Sequence, residues 1–328
     1  MKKVLITGAD GFIGSHLVEE MIQYGYNVRA FCFYNSFNSY GWLDTLKPEI
    51  KNQIDFYLGD VRDYQSVKNA VKDCDTIIHL AALISIPYSY QAPDSFIKTN
   101  ITGTLNVLQA ALENELDNIV VASTSEIYGT AMSVPIEEIH PVQPQSPYAA
   151  SKVGADALAM SYHRSYGLNV SIARPFNTFG PRQSTRAIIP TIITQLLEGK
   201  EDIFLGSLVP TRDFLYVKDT AKALIAIAKQ HDIGGEVFNI CSGNEISISD
   251  LSEVLIKKIN PNASVSEDKQ RLRPEKSEVF RLIGDASKLT AKTLWKPEYS
   301  FENALQNTID WFSISENLEK YQADRYTI

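Results

Sequence analysis

Tyr148 and Lys152 stand one helical turn apart in the run Tyr148-Ala149-Ala150-Ser151-Lys152. On a helix that spacing puts both side chains on one face. An ammonium group beside a phenol favours the phenolate. A fall in pKa from about 10 to about 7 corresponds to roughly 4 kcal/mol and makes a tyrosine a usable base at neutral pH. Such a pair is common by chance on helix surfaces. It gains weight from a second signal near the start of the chain.

That signal is Thr7-Gly8-Ala9-Asp10-Gly11-Phe12-Ile13-Gly14, lying between a strand-like run and an amphipathic one. The three glycines permit a tight turn, close approach of backbone to a pyrophosphate, and close helix–strand packing. The helix that follows offers free N–H groups and a positive dipole end. The spacing is GxxGxxG rather than the commoner GxGxxG. Its place directly after the first strand predicts a dinucleotide site, with Gly8, Gly11, Phe12, Ile13 and Gly14 around the phosphates. A cationic nicotinamide ring would then push Tyr148 toward phenolate as Lys152 does.

The ribose end is irregular. The second strand ends Phe31-Cys32-Phe33-Tyr34-Asn35-Ser36, with no carboxylate for a ribose 2′-hydroxyl and no arginine pair for a 2′-phosphate. The cofactor expectation is therefore NAD(P), with NAD slightly favoured. Asp60 and Val61 follow the third strand, where adenine would lie. Leu80, Ala81 and Ala82 follow the fourth and would run beneath the cofactor. His79 reads as a packed, hydrogen-bonded residue rather than a catalyst.

Strands predicted at 3–7, 27–33, 53–58, 76–80, 119–123 and 170–173 alternate with helices at 12–24, 64–72, 102–114 and 148–166. This alternation predicts an α/β, Rossmann-type doubly wound parallel sheet. Beyond Pro175 the pattern loosens. Helices at 188–197, 248–259 and 301–312 are separated by loops rich in Arg, Pro and Asp, the texture of a smaller C-terminal substrate lobe. Residues 237–240 read as a strand returning to the main sheet.

The chain has 328 residues, of which 44% are hydrophobic and 21% charged, enough apolar content for well-buried cores and too much for wholesale disorder. Lys and Arg number 31 against 39 Asp and Glu, a net charge of −8, which disfavours nucleic acid and anionic membranes as partners. No apolar run approaches the roughly 20 residues of a membrane span, and the start lacks a signal-peptide pattern. Cys32, Cys74 and Cys241 are odd in number and scattered, which points to a reducing, cytoplasmic setting. His16, His79, His140, His163 and His231 show no metal-ligand spacing, so no metal is expected.

Together Gly8/Gly11/Gly14, Asp60, the run 79–82, Asn100, the run 123–129, Tyr148/Lys152, the run 174–181 and the run 212–219 resemble the extended short-chain dehydrogenase/reductase family over nearly the whole chain. The family acts mostly on nucleotide-sugars. The resemblance implies a dinucleotide-binding domain of residues 1–176 plus about 212–242, and a nucleotide-sugar-binding lobe of 177–211 and 243–328. It implies that Thr124 bonds the sugar's 4-oxygen beside Tyr148, that Ser125 belongs to the catalytic run, and that Asn100 supports a site water or the helix bend near Lys152. Asn177, Arg182, Arg186, Arg212, Arg273 and Glu278 are the candidate substrate residues: the resemblance gives Asn177 to the sugar diphosphate, Arg212 and Arg273 could grip the diphosphate or nucleotide ribose as forks, and Glu278 could hold the ribose hydroxyls. The helices 102–114 and 148–166 are expected to build a homodimeric four-helix bundle or part of a higher homo-oligomer.

Glu126, in Ser123-Thr124-Ser125-Glu126-Ile127-Tyr128-Gly129, separates the chemistries. The 4-epimerases of the family typically carry a small or neutral residue there, and the 4,6-dehydratases carry Glu. Oxidation at C4 acidifies the C5 hydrogen; a carboxylate takes that proton, the C6 hydroxyl leaves as water, and the hydride returns to C6. Uronate decarboxylases of the family also carry Glu here and need cations for a C6 carboxylate, a role open to Arg182 and Arg186. The runs 35–44 and 83–90 resemble the 4,6-dehydratases of nucleotide-activated N-acetylglucosamine that feed legionaminic acid synthesis. The expectation is a 4,6-dehydratase of GDP- or UDP-N-acetylglucosamine.

Overall fold

The computed structural model describes residues 3–321. Its centre is a parallel sheet of seven strands: β1 (Lys3–Thr7), β2 (Asn27–Phe33), β3 (Ile54–Gly59), β4 (Thr76–His79), β5 (Asn118–Ala122), β6 (Val170–Pro175) and β7 (Val237–Ile240), in the order β7-β6-β5-β4-β1-β2-β3. The expected α/β sheet is present, and residues 237–240 return to it beside β6. The order reverses at β1, which neighbours both β2 and β4. A crevice outside the carboxyl ends of those strands is where such sheets bind ligands.

Alternate strand residues feed two cores. Val4, Ile6, Ile78 and Val120 pack under α1 (Phe12–Gln23), through Leu17, Val18 and Met21, and under a later helix of the chain through Ala221, Leu224 and Ile225. Leu5, Ile77, Ile119 and Val121 face the other way. They meet α2 (Tyr64–Ala70), α3 (Gly103–Glu113) and α4 (Pro147–Tyr166) through Val67, Val107, Leu108 and Ala159. This period-two partition makes each β-strand a two-sided buried layer. The helix α4 is bounded by chemistry visible in sequence. Ser146 accepts from the Ala149 N–H at its start, Pro147 opens the first turn, and Gly167 ends it at φ +71°.

The second lobe has its own core, built from α5 (Ile188–Leu197), the Phe214–Tyr216 strand end of α6 (Val217–Ala228), α7 (Ile248–Ile259) and α8 (Phe301–Phe312). Short strand pairs tie it together. Asn177–Phe179 runs parallel to Phe214–Tyr216, and Thr211–Arg212 lies between Ile246–Ser247 and Arg281–Leu282. No helix among the described residues is long and apolar enough to cross a membrane.

A buried polar chain links the sheet to α4. The Ala81 N–H donates to Thr7 Oγ1 (3.2 Å), which stands 2.7 Å from His79 Nδ1. His79 Nε2 lies 3.1 Å from Thr104 Oγ1, which donates to the Asn100 carbonyl. Because the Thr104 proton is committed to Asn100, His79 must donate from Nε2 and accept at Nδ1. Asn100 Nδ2 then donates to Ser151 Oγ (2.9 Å), and Ser151 donates to the Tyr148 carbonyl. Of the two roles expected for Asn100, the geometry matches support of the bend: it sits in a π-turn at Ile97–Thr102, clamped to Leu83 and to α4.

Burial holds His79 at a pKa of about 3, helped by the Lys152 charge, and burial holds His16 at about 3 as well. Both therefore take up protons on unfolding between pH 6.5 and 3, so stability is lost as pH falls through that window and is flat above it. Each contributes a slope of about 1.4 kcal/mol per pH unit. Asp156, Asp213 and Asp219, pushed up by burial, act with the opposite sign above the ordinary carboxylate pKa. Urea unfolding at pH 7, 6 and 5 should show a steady loss toward pH 5, and His79→Gln should flatten that loss by one proton's share.

Candidate active site

A cleft of about 1610 Å³ opens where β1, β4, β5 and β6 end, with the second lobe as its far wall. Pockets for one small ligand usually measure about 300–1,000 Å³, so this cleft has room for two ligands end to end. One end is the glycine turn. Gly8 takes φ +67°, and a Cβ there would lie 2.8 Å from the Ala81 nitrogen. A Cβ on Gly14 would lie 2.1 Å from the Gly8 carbonyl oxygen. Gly8, Gly11, Phe12, Ile13 and Gly14 all line the cleft, as do Asp60, Val61, Leu80, Ala81 and Ala82. A bare backbone cradle at a helix N-terminus fits a dinucleotide diphosphate. The Asp60 carboxylate is forked by Arg62, whose hydrogen bonds hold it below its usual range.

The loop after β2 supplies what the strand end lacks in contacts. Asn35 and Asp44 brace it internally, and the Trp42 N–H donates to the Asp10 carbonyl of the glycine turn (3.0 Å). Ser39, Gly41, Trp42, Asp44 and Thr45 thereby join the cleft wall. The residue spacing carried no signal for this placement, because it depends on contacts with a distant turn.

At the other end, β5 delivers the reacting groups. Thr124 caps a single 3-10 turn, Ser125–Tyr128, by accepting from the Glu126 N–H (3.2 Å). Thr124, Glu126, Tyr148 and Lys152 all face the cleft. The Thr124 hydroxyl stands close enough to the Tyr148 phenol to lower its pKa. Ser125 is different: the same turn buries it, and it is absent from the cleft wall. Nothing in the geometry brings it to the reacting groups. Tyr128, fully buried, anchors the turn by donating to Asn239 Oδ1 (2.7 Å) and accepting from Arg174, itself paired with Asp156 (3.1 Å).

In the chain alone the Tyr148 phenol does not show the expected fall toward neutrality. Burial pushes that phenol well above the ordinary range, the Thr124 hydroxyl lowers it, and the Glu126 and Asp156 charges raise it. Lys152 is itself pushed down to about 8 by burial, and its Nζ donates to the Ala122 carbonyl (2.6 Å). The ammonium is anchored to the strand end rather than spent on the phenol.

The expected substrate residues divide into two groups. Arg212, Arg273 and Glu278 meet beside Glu126. Arg212 pairs with Glu278 (3.2 Å), and Arg273 Nη1 stands 3.7 Å from the Glu126 carboxylate without a hydrogen-bond partner of its own. Asn177 also lines the cleft, and its buried Nδ2 lacks a partner. Arg182 lies apart, turned onto α1 against Ser15 and Glu19. Arg186 is exposed at the cleft edge and bonds Ser184. Orphaned buried donors along one wall match a polar, anionic ligand.

A model of the GDP-mannose 4,6 dehydratase family matches residues 5–308. The chain belongs to that family. It is 33% identical over 320 residues to the low-salt glycan biosynthesis protein Agl12 of Haloferax volcanii, covering 94% of this chain and 98% of that protein. A dTDP-glucose 4,6-dehydratase of an Actinoplanes species is 32% identical over 329 residues, covering 94% and 97%. Among solved structures, DesIV, a dTDP-glucose 4,6-dehydratase from Streptomyces venezuelae crystallised with NAD, has a TM-score of 0.84 at 28% identity, covering 98% of this chain and 99% of that one. A UDP-N-acetylglucosamine 4-epimerase from Methanobrevibacter ruminantium has the same TM-score at 32% identity, covering 95% and 98%. This is an extended short-chain dehydrogenase/reductase, an enzyme of the NAD(P)-dependent nucleotide-sugar dehydratase and epimerase group.

The cradle gives a direct test. Gly14→Ala forces a methyl onto the Gly8 carbonyl, an overpacking that should cost about 1–3 kcal/mol. Thermal melting with and without NAD should show a lower melting point and loss of the NAD-induced rise.

Proposed function

We propose that this protein is a nucleotide-sugar 4,6-dehydratase that converts GDP- or UDP-N-acetylglucosamine to the 4-keto-6-deoxy sugar. The observation that carries the reading is Glu126, a carboxylate on the cleft wall close enough to Tyr148 for its charge to act on the phenol. Dehydratases and epimerases both stand among the relatives, so overall likeness does not separate them. An epimerase has no proton to remove at C5, and a C5 base is what a carboxylate in this position can be.

NAD, when bound, supplies the acceptor and later the donor of hydride. The chain supplies the rest. Thr124 and Tyr148 hold the sugar's 4-hydroxyl between them, and Tyr148 takes its proton. Lys152, fixed to the β5 end, keeps a positive charge beside that event. Glu126 takes the C5 proton and passes it to the departing C6 hydroxyl, which leaves as water, and a solvent proton is taken up at C5 as the hydride returns to C6. Arg212, Arg273, Glu278 and Asn177 hold the diphosphate and nucleotide, with Arg186 at the cleft edge. On this reading residues 1–176 with about 212–242 carry the dinucleotide, and 177–211 with 243–328 carry the sugar nucleotide.

The resemblance of the runs 35–44 and 83–90 supports N-acetylglucosamine as the sugar and legionaminic acid synthesis, in the cytoplasm, as the setting. Partly exposed Ile97, Leu105 and Tyr166 on or beside α3 and α4 support a homodimer packed through those helices. A second reading, uronate decarboxylation, is favoured by Arg273 beside Glu126, where a C6 carboxylate could sit.

Mass spectrometry of the products separates these readings. Incubation with UDP- and GDP-N-acetylglucosamine should yield a product lighter by one water. Loss of carbon dioxide from a nucleotide-linked uronic acid would instead select the decarboxylase, and an isomer of unchanged mass the epimerase. Glu126→Gln should retain C4 oxidation, seen as a single-turnover rise in NADH absorbance, while water loss falls by about 100-fold or more. Water loss at the wild-type rate would remove Glu126 from the role of C5 base.

A further inference from the structure

The turn Gly180-Pro181-Arg182 leaves the second lobe and lands on the first turns of α1, next to the glycine cradle. It is built to stay there. His16 Nε2 donates to the Pro181 carbonyl (2.9 Å), a bond that fixes the neutral tautomer. Arg182 takes φ +70°, a conformation that L-residues with side chains rarely adopt. A Cβ on Gly180 would lie 2.6 Å from Val217 Cγ1, so the chain can pass only as glycine. Arg182 Nη1 then donates to Ser15 Oγ (3.3 Å), and Nη2 pairs with Glu19 (3.1 Å).

One edge of this guanidinium is left over. Among the described residues Arg182 Nε is buried without a partner, and so is the Tyr321 hydroxyl. Both residues line the cleft, and the Arg182 charge acts on the Tyr321 phenol, which burial keeps protonated. Two buried donors on the wall of one cleft, close enough for the charge of one to act on the other, call for an anionic acceptor. The corner is closed by aromatic rings. Trp42, tied by its N–H to Asp10, stacks on Tyr321 at 6.0 Å and meets Trp311 of α8 edge-on at 5.8 Å. The loop after β2, the glycine turn and the C-terminal segment thus converge on one point.

We propose that Arg182 and Tyr321 form a second grip on the diphosphate of the dinucleotide, opposite the glycine cradle, and that the Trp42–Tyr321–Trp311 stack clasps the corner so that the cofactor stays through turnover. The inference rests on the cofactor reading of the cleft and is independent of which sugar reacts. It reassigns Arg182 from the substrate to the cofactor. A diphosphate is also part of the sugar nucleotide, so the test uses both sources.

Calorimetric titration of the full-length protein, freed of nucleotide, with ADP, NAD, adenosine, UDP and GDP separates them. Arg182→Met should weaken ADP and NAD by about 10- to 100-fold, the range of a charged hydrogen bond, and leave adenosine, UDP and GDP unchanged. Tyr321→Phe removes one oxygen; it should weaken ADP about fivefold with no change in melting temperature, and it carries the test if Arg182→Met fails to fold. Trp42→Ala should speed release of NAD, chased by excess ADP-ribose, by about tenfold. Weakened UDP or GDP with NAD unchanged would assign Arg182 to the sugar nucleotide. Unchanged affinities in Arg182→Met and Tyr321→Phe would make the corner a structural prop, and either result overturns the proposal.

Discussion

A tyrosine phenol and a glutamate carboxylate are forced into the same water-poor space at the end of β5, and the carboxylate makes the phenol harder to ionise. Burial pushes Tyr148 up, and the Glu126 charge pushes it further. Charges of one sign at short range in a low dielectric cost several kcal/mol unless cations are set against them. The surrounding architecture is arranged around that constraint. Lys152 is anchored on the Ala122 carbonyl, Arg273 faces Glu126, and Arg212 sits behind both with Glu278. Cations thus stand against the carboxylate, while the phenol keeps its proton in the chain alone.

The scaffold keeps these groups in register through buried polar links rather than apolar packing alone. The chain from Thr7 through His79, Thr104, Asn100 and Ser151 connects the strand that carries the glycine turn with the helix that carries Tyr148. Tyr128, Arg174, Asp156 and Asn239 do the same beneath Glu126. Such networks specify geometry because a half-made one leaves buried polar atoms unpaired. Cofactor end and sugar end are thereby held at a fixed separation.

The parts of this arrangement that were legible in the sequence are those set by local rules. The β-branched runs, the glycine spacing and the helical periods of 188–197, 248–259 and 301–312 predict elements that the structure contains over the same residues. The face shared by Tyr148 and Lys152 also follows from helix geometry. Contacts between residues far apart in the chain were not legible. The approach of Arg273 to Glu126, the landing of Arg182 on α1 and the stack of Trp42 on Tyr321 join segments that no spacing rule connects. The short helices Ile86–Gln91 and Pro93–Phe96 escaped because they are too brief for a period to show, each with a proline in its first two positions. The suppression of Tyr148 acidity by burial could not be read from a helix face either, since it depends on what covers that face.

One claim carries the rest, that a sugar oxidised at C4 in this cleft loses its C6 hydroxyl as water before the hydride returns. Following a deuterium label placed at C4 of the sugar in GDP- or UDP-N-acetylglucosamine is its most direct test. The account predicts that NMR of the product finds the label on the C6 methyl group, carried there within one molecule. A label recovered at C4, in a sugar that still bears its C6 hydroxyl, would contradict it.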